Sequence, residues 1–134
     1  MFPIFEVLLI GNNDGHSKNI SLLLVNNKNE LAPFYDLLCT AIYESLHKDF
    51  SFRIGERYTF AKIGLNQLLL LEKELDIKKD TFTQRIKDIR ELILTNKDLV
   101  LEEIMDKHPR AKIPKRISAL IAKRAKGLRQ QGVC

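Results

Sequence analysis

The sequence predicts an α+β fold that is mostly α-helical, with one or two small β-hairpins and four to five helices. Short apolar runs separated by turn residues fill the first 60 residues, and helical spacing of apolar residues dominates the remainder. A length of 134 residues with 45% hydrophobic residues suits one domain with a single modest core.

The first elements are short. Residues 4–10 are apolar and stop at Gly11, which indicates the end of a buried helix or strand. Residues 20–25 suit a short buried strand, and residues 31–36 suit a second one. The intervening NNKNE favours a turn because Asn tolerates the left-handed backbone region, so we expect a β-hairpin over 20–35.

A second, smaller hairpin is predicted where FSFRI and YTF flank a turn at Gly55. The segment between the two hairpins, residues 37–46, favours a short helix. No strand signal follows these elements.

The helix signals lie in the second half of the chain. Residues 65–75 are Leu-rich and contain no helix breaker, and Thr81 followed by Gln84 resembles a capping box. The apolar residues that share one helical face behind this box are Phe82, Ile86, Ile89 and Ile93. A separate short helix over 99–105 is expected to stop before Pro109.

The last predicted helix, over about 112–129, is strongly basic. Its apolar stripe contains Ile117, Leu120, Ile121 and Leu128. Its opposite face carries Arg116, Lys123, Arg124, Lys126 and Arg129. From Lys107 to the end there are nine Lys or Arg residues and no acid, whereas the first 106 residues hold 13 basic and 17 acidic residues. The overall charge of +5 therefore belongs to one segment.

The sequence gives no sign of a membrane or secreted protein. No apolar run approaches the roughly 20 residues that cross a bilayer, and the N-terminus lacks the features of a signal peptide. Cys39 and Cys134 fit no metal or disulfide spacing and indicate reduced thiols. We expect a cytoplasmic protein.

Residues 11–20 concentrate hydrogen-bonding groups between two apolar segments. Asp14 and Asn19 stand five residues apart, and Asp36 follows at the end of the second predicted strand, so the hairpin would bring all three together. Phosphoryl transfer uses such a set: one carboxylate takes the proton of the acceptor hydroxyl, while amide and carboxylate oxygens hold Mg²⁺. The alternative is that these are turn-forming residues, which a motif this short does not exclude.

The motifs DGHSKN and PFYDLL together resemble the HipA-like serine/threonine kinases of bacterial toxin–antitoxin systems. The resemblance is strongest over residues 5–38 and weakens through the helices to about residue 95. It implies a protein-kinase-like C-terminal lobe over 1–134, with a catalytic loop at 11–20 and a metal-binding segment at 31–38.

The resemblance also implies a role for each polar residue of the two motifs. Asp14 would be the catalytic base, Asn19 and Asp36 would bind Mg²⁺, and ATP would be the phosphoryl donor. His16 and Lys18 would be catalytic-loop residues near the transferred phosphate. Two alternatives stay open: Lys18 as a solvated surface lysine, and His16 as a structural residue that holds the loop.

Two departures from ordinary protein kinases favour this family. Asn12 and Asn13 replace the His-Arg pair before the catalytic Asp, and Leu37 and Leu38 replace the Phe-Gly pair after the metal-binding Asp. HipA-like kinases share both departures. The resemblance further implies a protein substrate, an aminoacyl-tRNA synthetase in the best-known members, and a helix-turn-helix antitoxin as partner.

The chain contains no G-x-G motif, and only 13 residues precede Asp14. The Gly-rich loop and the strand lysine that hold the phosphates of ATP belong to the N-terminal lobe of a kinase. The sequence therefore predicts that this lobe is absent from the 134 residues, which would be a fragment of a longer kinase, one product of a split gene or a decayed remnant; in the first two cases the same or a separate chain supplies the lobe. An isolated chain is expected to be inactive.

Two other functions are compatible with the sequence. The basic segment 107–134 would make the protein a non-catalytic module that contacts nucleic acid or an acidic partner weakly, although a solvated basic face is equally expected. The segment has no aromatic residue for base stacking. A small-molecule kinase lobe, as in the aminoglycoside phosphotransferases, shares a related loop, but PFYDLL fits that family less well.

Overall fold

The computed structural model describes residues 2–133, and it confirms the mostly helical α+β class. The helices are α1 (Phe2–Phe5, continued by a π-helical turn over Glu6–Ile10), α2 (Leu65–Glu74), α3 (Thr81–Lys107) and α4 (Ile113–Gln130). The strands are β1 (Leu22–Val25) and β2 (Lys28–Leu31), which pair antiparallel. Single 3₁₀ turns lie at Ser17–Asn19, Thr40–Ile42 and Phe60–Lys62.

The hydrophobic core surrounds the first helical segment, residues 2–10, which precedes the polar loop, residues 11–20. Val7, Leu8 and Leu9 of this segment are fully buried. Each of the three later helices contributes buried side chains to the same cluster: Leu68 and Leu71 from α2, Phe82 and Ile86 from α3, and Leu128 from α4. Burial of these side chains fixes the point at which the chain leaves the core as the polar loop.

The β-hairpin is shorter and more exposed than the sequence predicts. Its two-residue turn consists of Asn26 and Asn27, both at positive φ, so β2 begins earlier than expected and the strand prediction for 31–36 was wrong. The predicted burial of 20–25 was also wrong, with Leu24 71% exposed. Within residues 2–133, no helix or sheet covers the faces of this hairpin.

The segment between the hairpin and α2 is largely irregular. The helix expected over 37–46 is reduced to one 3₁₀ turn, and the second hairpin to a single antiparallel bridge between Ile54 and Arg57. Gly55 does lie in the turn, with φ +48. A Cβ at this position would stand 2.1 Å from the backbone oxygen of Gln67, so close packing against α2 also requires glycine.

α3 is one continuous helix of 27 residues where the sequence predicted two shorter ones. The capping box at Thr81 and Gln84 does not form. The Thr81 hydroxyl donates to the Lys78 carbonyl, and the Gln84 side-chain amide donates to the Asp88 carboxylate. Instead, the buried Glu72 carboxylate of α2 accepts hydrogen bonds from the backbone N–H groups of Asp80 at 2.8 Å and Phe82 at 2.5 Å. A carboxylate at this position satisfies backbone N–H groups that have no partner within the helix. Its negative charge also interacts favourably with the positive end of the helix dipole.

α4 forms where the last helix was expected, but the predicted solvent exposure of one of its basic residues was wrong. Arg124 was assigned to the solvated face and is only 7% exposed. It lies four residues from both Leu120 and Leu128, which puts it inside the apolar stripe. It remains there because its guanidinium is hydrogen-bonded to buried acceptors, which offsets the loss of water.

Cys39 is a buried free thiol, and burial raises its pKa. Cys134, the other predicted thiol, lies outside the described residues. Among the helices of residues 2–133, none combines the length and apolar character needed to cross a membrane.

Candidate active site

The candidate site begins at Gly11, where the first helical segment ends. Its φ is +87, in the region that glycine adopts without strain. A Cβ there would lie 2.9 Å from Cδ2 of Leu120 and 3.0 Å from Cβ of Ala41. The polar loop therefore starts in close contact with α4, and glycine is needed both for the backbone turn and for this contact.

Asn13 anchors the loop through four hydrogen bonds. Its backbone N–H donates to Thr40 Oγ1 at 2.9 Å, and its carbonyl accepts from the Ser51 N–H at 3.0 Å. Its side-chain amide donates to the carbonyls of His47 at 3.3 Å and Lys48 at 3.1 Å. Buried Asn side chains are retained where they are fully hydrogen-bonded, so Asn13 fixes the loop to the segment that follows the hairpin.

Asp14 lies in a turn that is held on both sides. The Gly15 N–H donates to the Asn12 carbonyl at 3.3 Å, and the Ser51 hydroxyl donates to the Gly15 carbonyl. The Asp14 carboxylate is exposed, and no hydrogen bond or ion pair from residues 2–133 engages it. A fixed backbone with an accessible carboxylate is the arrangement that a general base requires.

The structure brings Asn19 and Asp36, two of the three residues that the hairpin was expected to unite, into direct contact, and no hydrogen bond joins the Asp14 carboxylate to them. Asn19 Nδ2 donates to Asp36 Oδ2 at 2.6 Å, while Asn19 Oδ1 accepts from the His16 N–H at 3.0 Å. The Asp36 carbonyl accepts from the Asn12 amide at 3.2 Å. Asp36 has φ +58, a left-handed conformation that non-glycine residues adopt at a cost of order 1 kcal/mol and that Asp tolerates better than most.

Tyr35 joins the two motifs. Its hydroxyl donates to the Lys18 carbonyl at 2.7 Å and lies 2.8 Å from the Ser21 hydroxyl. His16 and Lys18 therefore stabilise the loop through hydrogen bonds of their backbone groups. Both side chains are exposed, and no hydrogen bond from the described part of the chain engages either of them.

The Asn19–Asp36 pair suits a hard cation in its chemistry. Amide and carboxylate oxygens are the ligands that Mg²⁺ prefers, and it usually takes one or two carboxylates together with water and phosphate oxygens. Asp36 retains a second carboxylate oxygen, and Asn19 Oδ1 retains a lone pair beside the bond from His16. Residues 2–133 contain no group of three or more His, Cys, Asp or Glu side chains that would complete a shell. A metal ion held by this pair would need further oxygen ligands, such as those of phosphate and water.

Sequence reasoning missed the residues that hold the loop. Asn12 and Asn13 were noted only as departures from other kinases, and Tyr35 was not singled out. The spacing of Arg124 within the apolar stripe of α4 was a signal that would have found it, since a charged residue in such a stripe must have buried partners.

An apolar groove of about 660 Å³ lies between α3 and α4, away from these residues. It shares no residue with the polar loop or with the segment 31–38. Binding sites for small molecules combine apolar walls with several convergent polar groups. The groove has few such groups, Asn96, Lys97 and Ser118 among them, so the loop is the better candidate for chemistry.

Known proteins resemble this chain in sequence and in fold. A model of the HipA-like C-terminal domain matches residues 4–96. A curated relative from Sinorhizobium fredii (strain NBRC 101917 / NGR234), named "Putative kinase Y4mE", is 32% identical over 99 residues, which are 74% of this chain and 24% of that protein. The chain thus spans about a quarter of this relative.

The solved structure titled as the Shewanella oneidensis MR-1 toxin–antitoxin system HipA, HipB and its operator DNA complex contains a chain with the same fold. The TM-score is 0.82 at 21% sequence identity, over 97% of this chain and 30% of that chain. At this identity the match establishes the fold alone, and it agrees with the expected kinase-like C-terminal lobe.

Proposed function

The chain belongs to the HipA-like C-terminal domain family, and on this basis we propose that it is the catalytic C-terminal lobe of a serine/threonine protein kinase. The reaction is transfer of a phosphoryl group from ATP to a protein hydroxyl. The observation that carries the proposal is the contact of Asn19 with Asp36 beside a loop that exposes the Asp14 carboxylate.

Each side chain of the site has one task in this proposal. Asp14 orients the acceptor hydroxyl and takes its proton, which requires the exposed and otherwise unengaged carboxylate that the loop provides. Asn19 and Asp36 hold Mg²⁺, whose charge offsets that of the phosphates. Lys18 adds positive charge beside the transferred group, and His16 lies in the same loop.

The exposed hairpin supports a second lobe as partner. Leu22, Leu24 and Leu31 share one face of the hairpin, and each is at least half exposed, although all are large apolar residues. A contiguous apolar surface of this kind indicates an interaction site. We propose that the nucleotide-binding N-terminal lobe, in the same or a separate chain, covers this hairpin and places ATP against Asn19 and Asp36.

The remaining partners are proposed from the family. The matched Shewanella HipA is described in complex with HipB and operator DNA. We extend to this chain a DNA-binding antitoxin of the helix-turn-helix type and a protein substrate such as an aminoacyl-tRNA synthetase.

The metal site gives a direct test of the proposal. We expect the isolated chain to bind Mg²⁺ too weakly for calorimetry to resolve, because two protein ligands need phosphate oxygens to complete the shell. With a nucleotide-binding lobe and ATP present, Mg²⁺ binding should become measurable, and Asp36→Asn should remove it. Asn tolerates the left-handed backbone at this position, so the variant should stay folded.

The matched control is Asp49→Asn, another exposed carboxylate that accepts a side-chain hydrogen bond, here from Thr59 at 2.9 Å. It should leave Mg²⁺ binding unchanged. Tight Mg²⁺ binding without nucleotide, or full binding by Asp36→Asn in the complex, would show that the site is wrongly assigned.

The alternative function, a basic binding module, is weakened by the structure. Arg124 is buried, and the Arg116 guanidinium donates to the Ile42 carbonyl, so two of the nine basic residues serve the fold itself. Lys123, Lys126 and Arg129 are exposed on α4 and remain available.

Any binding of nucleic acid by these residues is expected to be weak, independent of sequence and strongly dependent on salt. Each phosphate contact releases counterions. A plot of the logarithm of the binding constant against the logarithm of the salt concentration should therefore have a slope of about −0.9 per contact on duplex DNA. Replacing Lys123, Lys126 and Arg129 together by Gln should reduce that slope in a fluorescence-anisotropy titration. Affinity that is unchanged between low and high salt would contradict this expectation.

A further inference from the structure

The guanidinium of Arg124 reaches across the core to the helical segment before the polar loop. Its NH1 group donates to the Val7 carbonyl and lies 3.5 Å from the Leu8 carbonyl. Its NH2 group donates to Asn13 Oδ1 at 3.3 Å. One side chain of α4 thus contacts both the helical segment and the loop residue that directly precedes Asp14.

The contact with the helical segment satisfies groups that no helix can satisfy by itself. The last carbonyls of a helix lack intrahelical partners and carry partial negative charge, which a cation stabilises. Burial lowers the pKa of Arg124 to about 10, so the side chain stays charged at neutral pH. The Phe60 ring, with its centroid 4.7 Å away, covers the guanidinium.

The contact with Asn13 sets the orientation of its amide. The amide oxygen faces Arg124, and the amide nitrogen faces the carbonyls of His47 and Lys48. Rotating the amide by half a turn would point its nitrogen at a cation and its oxygen at two carbonyls, so only one orientation is favourable. This orientation fixes Asn13 against two separate segments.

From these contacts we infer that Arg124 is a positioning residue for the catalytic loop, and that α4 thereby controls where the Asp14 carboxylate stands. The inference rests on the proposed role of Asp14 as the base. Arg124 touches no reacting group and acts through Asn13. The family model matches residues 4–96, and α4 lies beyond them. The loop is therefore positioned by a helix outside the matched residues.

The planar fork of arginine is required for this role. NH1 and NH2 serve different acceptors at the same time, one set in the helical segment and one in the loop. A lysine ammonium is a single point charge at the end of a flexible stem. It would restore charge at the helix end without holding Asn13 as well.

The test is amide hydrogen exchange in the 134-residue chain, which needs no catalytic activity. The reporters are the backbone N–H groups of Asn13, Gly15 and Ser51, and the Ile86 N–H in the core of α3 reports global opening. In Arg124→Gln we expect the three reporters to exchange about tenfold faster relative to Ile86, the effect of losing a hydrogen bond to a charged group.

Two variants keep the test decisive where Arg124→Gln does not fold. Asn13→Ala retains the helix contact and should raise exchange at Gly15 and Ser51 about as much. Arg124→Lys should recover global stability but leave the loop reporters fast. The control Arg116→Gln removes a hydrogen bond from the same helix to the Ile42 carbonyl and should leave the loop reporters unchanged.

The inference is overturned if the loop reporters never exchange faster than Ile86 predicts, or if Arg124→Lys restores their protection completely. In the assembled kinase, Arg124→Lys should lower kcat and leave the KM for ATP unchanged. A kinase assay in which Asp14→Asn has no effect would refute the role of Asp14, whereas the exchange result would still decide whether Arg124 orders the loop.

Discussion

The 134-residue chain alone is expected to transfer no phosphoryl group at a measurable rate, and an added N-terminal lobe is expected to restore transfer. Phosphoryl transfer is catalysed by positioning and by charge stabilisation. Asp14, Asn19 and Asp36 can orient an acceptor and hold a metal ion, but the sequence contains no G-x-G loop to enclose the triphosphate. Without a fixed pose for ATP, most of the positioning effect, roughly 7–11 kcal/mol of barrier, is lost.

The experiment is a radiolabelled-ATP transfer assay on the chain alone and on the chain with the N-terminal lobe of a HipA-like kinase, fused or added in trans. Leu24→Ser and Leu31→Ser on the exposed hairpin should weaken assembly in trans, because these residues are proposed to be covered by the added lobe. Robust transfer by the chain alone would refute the proposal that it is half of an active site.

Asp14→Asn in the assembled kinase is expected to lower the rate of transfer by about 10²–10⁴-fold, the usual contribution of a general base. Asn has nearly the same shape as Asp, and the Asp14 carboxylate takes part in no hydrogen bond among residues 2–133. The variant should therefore fold normally and bind ATP and Mg²⁺ as before. The loss should appear in kcat, because the interaction is made in the transition state.

Circular dichroism and thermal unfolding of Asp14→Asn should match the unmodified chain, which separates a catalytic effect from a folding effect. Asp98→Asn, an exposed acid on α3 paired with Lys97, serves as the control and should keep full activity. Undiminished transfer by the assembled Asp14→Asn kinase would contradict the role given to this residue.

The sequence by itself determined the features that depend on neighbouring residues. A Leu-rich stretch without a helix breaker located α2, and helical spacing located α4. Two turn-forming asparagines joined the strands of the hairpin. The hairpin brings Asn19 and Asp36 together because its two strands are adjacent in sequence, so this contact follows from local chain geometry. The chemical roles of Asp14, His16, Lys18, Asn19 and Asp36 stay predictions.

The tertiary structure alone decided the features that depend on distant residues. Glu72 caps α3 in place of the predicted capping box, and Arg124 is buried where a solvated position was predicted. In both cases the partner lies on another element, and a buried polar group is stabilised only where the fold brings its partner within hydrogen-bond distance. Spacing along one element gives no information on that distance.

The exposure of the hairpin has the same origin. Its Leu-rich first strand is typical of a buried one, but burial depends on whether another surface lies against it. Within residues 2–133 none does, so Leu24 faces solvent. The sequence shows which side chains are apolar, whereas the packing of the whole fold decides which of them are buried.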